Sequence, residues 1–125
     1  MKRELEYYND RHKANCVEIF YKLKSVDRHH NAVAYLLGLP EIFPHAEELF
    51  DFGKDCVKAE GLFAAWQNDS TKKATRLIFS IWGYCGDIEI GGDSPREYSA
   101  AELFNCKYSV YFYEAMRLLY PQYAD

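Results

Sequence analysis

The sequence predicts an all-α fold: a compact bundle of about five or six helices, with room for a small β-hairpin around 84–98. Three observations carry this. Apolar residues recur at three- and four-residue spacing through most of the chain. Asp, Asn and Ser stand just ahead of these runs, where a side-chain oxygen can satisfy first-turn N–H groups, and Gly or Pro stands just after them. Strict apolar–polar alternation, the mark of a half-buried strand, is confined to short pieces. With 125 residues, 49% of them hydrophobic, the chain is long enough to bury one core, and it reads as a single helical domain over 1–125.

Asn9 or Asp10 caps a first helix running to about Lys24. Its inner stripe is Cys16, Ile19, Phe20 and Leu23, with His12 a turn earlier on the same side. Asp27 caps a second helix over Arg28–Leu37, with Val33, Leu36 and Leu37 facing inward and Gly38 and Pro40 ending it. The short link between the two predicts a helical hairpin. Pro44 opens a third helix to Phe52, with Leu49 and Phe52 inside. From Asp55 to Gln67 the pattern weakens: Cys56-Val57 suits a scrap of strand, and Leu62, Phe63 and Trp66 suit a turn of helix lying on the core.

The clearest helix spans Ser70–Trp82, and the rest of the chain is expected to organise around it. Ser70 or Asp69 caps it; Ala74, Leu77, Ile78, Ile81 and Trp82 form its buried stripe; Gly83 suits a left-handed stop. Its other face carries Lys72, Lys73 and Arg76 with Phe79 among them. Phe79 fits either a second layer of core or a basic, aromatic contact surface. Beyond it, Ile88 and Ile90 alternate with acids ahead of Gly91-Gly92, which is hairpin chemistry. Ser99-Ala-Ala-Glu102 matches a capping box. A last helix runs from about Lys107 to Tyr120. Tyr108, Phe112, Ala115 and Leu119 are inside it, Glu114 and Arg117 outside, and Pro121 stops it.

Composition and motifs exclude more than they assign. The net charge of −4 argues against general nucleic-acid binding, which needs a basic footprint. Cys16, Cys56, Cys85 and Cys106 are scattered, without metal-ligand spacing, and the charged start MKRELEYYND lacks the apolar core of a signal peptide. Reduced thiols in a soluble, cytoplasmic protein follow as the expectation. No apolar run reaches the ~18 residues of a membrane span. No nucleophile elbow, phosphate loop, dinucleotide fingerprint or zinc-protease motif occurs. The histidines are His12, His29, His30 and His45; His30 suits a satisfied core position better than a metal site. Glu47 and Asp51 would share a helix face, as solvated acids rather than a catalytic pair. No catalytic residue, metal ligand or cofactor is assigned.

EGLFAAWQNDSTKKATRLIFSIW (60–82) and YSAAELFNCKYSVYFYEAMRLLYPQY (98–123) resemble segments of a family of small bacterial proteins of unknown function. The resemblance implies a stand-alone domain and brings no activity, cofactor or site residue.

Two functions remain. The first is a non-enzymatic protein-interaction module, binding a protein partner or itself through Tyr-rich helical surface; the chain has eleven Tyr. The second is binding of a phosphate-bearing ligand or nucleic acid at the start of the 70–82 helix, where Ser70 and Thr71 would expose N–H groups and Lys72, Lys73 and Arg76 supply charge. An enzyme stands third; a polar pocket with a convergent His and carboxylate would revive it.

Overall fold

The computed structural model describes residues 4–83 and 94–123. Six α-helices lie among them: α1 (Asp10–Lys22), α2 (Arg28–Leu37), α3 (Ala46–Leu49), α4 (Asp69–Ile81), α5 (Ala100–Leu103) and α6 (Ser109–Leu119). Short 3₁₀ turns and one two-stranded antiparallel ladder, β1 (Phe50–Asp51) against β2 (Cys56–Val57), fill the connections. The fold is mostly α, as the helical spacing predicts. The expected hairpin around 84–98 lies outside the described residues over 84–93, and Pro95–Tyr98 forms a 3₁₀ turn.

The centre of the bundle is α2, not the 70–82 helix. Every residue from Ala32 to Leu37 is buried, because α2 packs against α1, α4 and α6 at once. The stretch Ala32–Leu37 has no polar side chain other than the Tyr35 hydroxyl, so nothing within it marks a solvent face. Asp27 caps it as expected, accepting from the His30 N–H at 2.9 Å. Gly38 follows with an ordinary φ of −77°. It is glycine because α1 comes close: a Cβ there would stand 2.6 Å from the Cys16 Sγ.

In α1, capped by Asn9, the inner face is His12, Asn15 and Ile19; Phe20, expected in the core, is exposed. Asn15 takes an inner place because its amide donates to the Gly38 carbonyl at 3.0 Å, satisfying a buried helix-end acceptor. Helix α3 stops at Leu49, short of Phe52. The chain turns there into β1, and the Lys58 N–H bonds the Leu49 carbonyl at 2.7 Å. Asp51 therefore shares no helix face with Glu47; its carboxylate caps the Lys54 N–H instead.

Helix α4 buries Ala74, Leu77, Ile78 and Ile81 as expected, ends at Trp82, and leaves through Gly83 at φ +94°. Its N-cap is neither Ser70 nor Asp69 but Asn68. The Asn68 side chain accepts from the Thr71 N–H at 2.9 Å, and the Thr71 hydroxyl accepts from the Asn68 N–H at 2.7 Å. This reciprocal box outcompetes a single Ser or Asp acceptor one or two residues later. Along α6, Phe112, Ala115 and Leu119 are buried, as is Tyr108 just before it. Glu114, expected outside, is only 2% exposed, because it holds both the Glu6 N–H and the Arg117 guanidinium.

Candidate functional site

Three places on the molecule gather polar or exposed apolar side chains, the first of them at the start of α4. Phe79 is fully buried, so it is a second layer of core and presents nothing to a ligand. Thr71 is buried with its N–H taken by Asn68. The Lys73 ammonium donates to the Asn105 carbonyl at 2.8 Å and lies 3.4 Å from Asp69, one turn back in the same helix. Lys72 stands over the Phe63 ring, 5.6 Å from its centroid. Arg76 is half-buried and Ser70 half-exposed at the second helical position. Glu41 adds a carboxylate beside the cap, 3.2 Å from the Asn68 amide. Its carboxyl is held below the usual range by the Tyr108 hydroxyl and by Lys107 at 2.9 Å. The helix start is thus already supplied with negative charge by Asp69 and Glu41, which opposes a bound phosphate.

The second place joins a histidine and carboxylates. His30, 8% exposed at its side chain, sits between Asp27, 2.9 Å from Nδ1, and Asp55, 2.9 Å from Nε2. Asp55 adopts φ 57°, unusual for a side chain with a Cβ, and its carbonyl accepts from the Trp82 indole at 3.3 Å. The Trp82 ring meets His30 edge-on at 4.8 Å. Burial works against charging the imidazole, but hydrogen bonds to Asp27 and Asp55 outweigh it and raise its pKa. The backbone and ring N–H groups of His30 in turn lower that of Asp27. A hollow of about 440 Å³ lies alongside, bounded by Asp27, His29, His30, Ile81, Trp82 and Gly83. It has the convergent His and carboxylates that general acid–base chemistry wants. With a carboxylate facing each ring nitrogen, the protonated imidazole donates to both Asp27 and Asp55, which makes the cluster a charge clamp. The cluster ties the start of α2 to the turn between β1 and β2. Among the described residues, no group of three or more His, Cys, Asp or Glu is arranged to hold a metal ion.

The third place is the outer edge of α1. Val17, Phe20 and Tyr21 are 51%, 39% and 86% exposed, and helical spacing puts them on one side of the helix. Beside them opens a cavity of about 250 Å³, walled by Leu5, Tyr7, Val17, Phe20, Ala34 and Leu118. Cys16, Asn31 and Tyr35 complete its wall. Burial pushes the Cys16 thiol up to about 12, so it is a small apolar wall rather than a nucleophile. The Asn31 Oδ1 is buried and finds no partner among the described residues. Sequence reasoning missed this edge because it placed Phe20 in the core. The available signal was that α1 carries more apolar residues than one stripe needs once Asn15 faces inward.

Cys16, Cys56 and Cys106 are free thiols; Cys85 lies outside the described residues. Among the described residues no helix is long and apolar enough to cross a membrane. Neither a curated protein nor a solved structure matches the chain. A family model does match, over residues 2–125, and the chain accordingly belongs to DUF6075, a family of unknown function.

Proposed function

We propose that the chain is a small cytoplasmic protein-interaction module that self-associates through the outer edge of α1. One observation carries this: exposed apolar knobs, Val17, Phe20 and Tyr21, lie beside an apolar hole of about 250 Å³ on the same surface. A patch bearing both is self-complementary under two-fold symmetry, since each copy's aromatic ring can enter the other's cavity. Aromatic side chains in such holes contribute most of the binding energy of an interface. The patch is one helix edge wide, at the low end of interface sizes, below about 1,200 Å² in total, so the association is weak and concentration-dependent. A non-enzymatic role agrees with the histidines most enclosed by the fold. His12 and His30 each have both ring nitrogens engaged.

Sedimentation over a wide concentration range tests it. The expected result is a monomer–dimer equilibrium that Phe20→Asp shifts to monomer and that Val110→Asp, on an exposed position of α6, leaves unchanged. A wild-type chain that stays monomeric at millimolar concentration contradicts the proposal.

A further inference from the structure

The segment ahead of α1 is held in an unusual way. Residues 4–7 join no helix or ladder and Tyr8 lies in a bend; Leu5 and Tyr7 are half-buried and Glu4, Glu6 and Tyr8 exposed, the alternation of a strand lying on a surface. Among the described residues no strand pairs with it; the one ladder joins β1 to β2. Its main-chain groups go instead to three buried side chains from three different helices. The Glu6 N–H donates to Glu114 of α6 at 2.7 Å, the Glu6 carbonyl accepts from the Tyr35 hydroxyl of α2, and the Tyr8 N–H donates to the His12 Nδ1 of α1 at 2.9 Å. Exposure is 0% for His12 and 2% for Tyr35 and Glu114. The roles fit together: His12 accepts at Nδ1 because its Nε2–H donates to the Tyr35 carbonyl at 2.8 Å, and Glu114 is steadied by Arg117 at 3.5 Å.

Contacts made to main-chain atoms carry no sequence information, so this cradle holds any extended backbone; side-chain choice falls to the space taken by Leu5 and Tyr7. That division of labour is how extended peptides are recognised on other proteins. A buried carboxylate and a buried imidazole aimed at main-chain N–H groups also cannot be left empty without cost, so whatever displaces the segment must supply a backbone of its own. We propose that the groove formed by α1, α2 and α6 is a receptor for an extended peptide with apolar side chains at alternate positions. Residues 4–8 are its resident ligand, and a partner's segment of the same pattern takes their place. This rests on the interaction role of the same side of the molecule, and because Leu5 and Tyr7 also wall the α1 cavity, self-association is read on the wild-type chain alone. Self-association by the α1 edge is lost in sedimentation, strap exchange in peptide binding.

The test uses the full chain carrying Leu5→Ala and Tyr7→Ala, which loosens the resident segment and leaves Glu114, Tyr35 and His12 in place, and a fluorescent peptide with the sequence of residues 4–8. The resident segment competes at an effective concentration of roughly millimolar, so the double variant is expected to bind the peptide about tenfold or more tighter than the wild type. A peptide methylated on the nitrogen corresponding to Glu6 lacks the N–H that Glu114 accepts and is expected to bind about tenfold more weakly. Equal binding of plain and methylated peptides, or no binding by a variant that keeps its helical circular dichroism, overturns the proposal. Should the variant lose that signal, amide exchange in the wild type decides. The Glu6 and Tyr8 amides are expected to exchange about a hundredfold or more faster than that of Leu36, as a separately opening unit. Equal rates would mean the segment leaves only on global unfolding, which also overturns it.

Discussion

Replacing His30 by Ala removes the imidazole that sits between Asp27 and Asp55. The His30 side chain is 8% exposed, while Asp27 and Asp55 are 51% and 29% exposed. Removing one partner of a fully buried pair costs about 3–5 kcal/mol. Here two of the three groups keep contact with water, and exposed pairs contribute only ~0–1 kcal/mol. An intermediate loss of about 2 kcal/mol is therefore expected, to which the two facing carboxylates and the edge-on contact with Trp82 contribute. For a chain of this size that corresponds to a Tm lower by roughly 7–8 °C. The pH dependence carries the sharper information. The folded-state pKa of His30 is raised above its unfolded value of about 6.5, so the stabilisation is fully present below that value and is lost as pH rises through the folded pKa. Urea unfolding of wild type and His30→Ala should thus differ most near pH 5.5–6, and the gap should narrow in alkaline solution. A difference under about 0.5 kcal/mol at pH 6, the size of an ordinary surface change, or a gap that widens with pH, would refute the clamp.

Other substitutions test the remaining assignments. Gly38→Ala should cost about 1–3 kcal/mol by overpacking against the Cys16 Sγ, 2.6 Å from the new Cβ, and Cys16→Ala in the same chain should recover part of it, read as a double-mutant cycle in denaturant. Asn68→Ala should cost about 1 kcal/mol as a lost cap while Ser70→Ala changes little; equal effects would contradict the capping box. His12 behaves oppositely to His30: burial lowers its pKa although its bond to the Tyr35 carbonyl opposes this, so its contribution is complete above about pH 6.5 and is lost as acid charges it. Wild type should accordingly lose stability below that pH relative to His12→Gln.

Local chemistry made much of the fold legible. Asp27, Gly83 and the Phe112–Ala115–Leu119 stripe each act through neighbours within a turn or two, and each stands where spacing places it. The misplacements come from contacts distant in sequence. Glu114 reads as solvated and Asn15 is absent from the expected inner stripe, but Glu6 and Gly38 supply their bonds across the fold. Phe20 reads as core because nothing nearby shows that α1 turns Asn15 inward. The central place of α2 is hidden for a related reason, since three neighbours cover it and it needs no polar face. Of the candidate site, His30 stood out in the sequence, but Asp55 did not, because a positive φ in a tight turn brings it round. The basic run at Lys72, Lys73 and Arg76 was plain to see, but not the local supply of Asp69 and Glu41. A cavity between α1, α2 and the end of α6 has no sequence signature at all.

The self-association of the α1 edge is tested most directly by methyl NMR spectra of the wild-type chain recorded on dilution. Val17 and Leu118 wall the cavity, whereas Val110 is 53% exposed on α6 away from it. Pairing of two copies through this edge predicts concentration-dependent shifts of the Val17 and Leu118 methyl groups, abolished by Phe20→Asp, with the Val110 methyl groups unmoved. Spectra that do not change with concentration, or shifts centred on Val110, would contradict it.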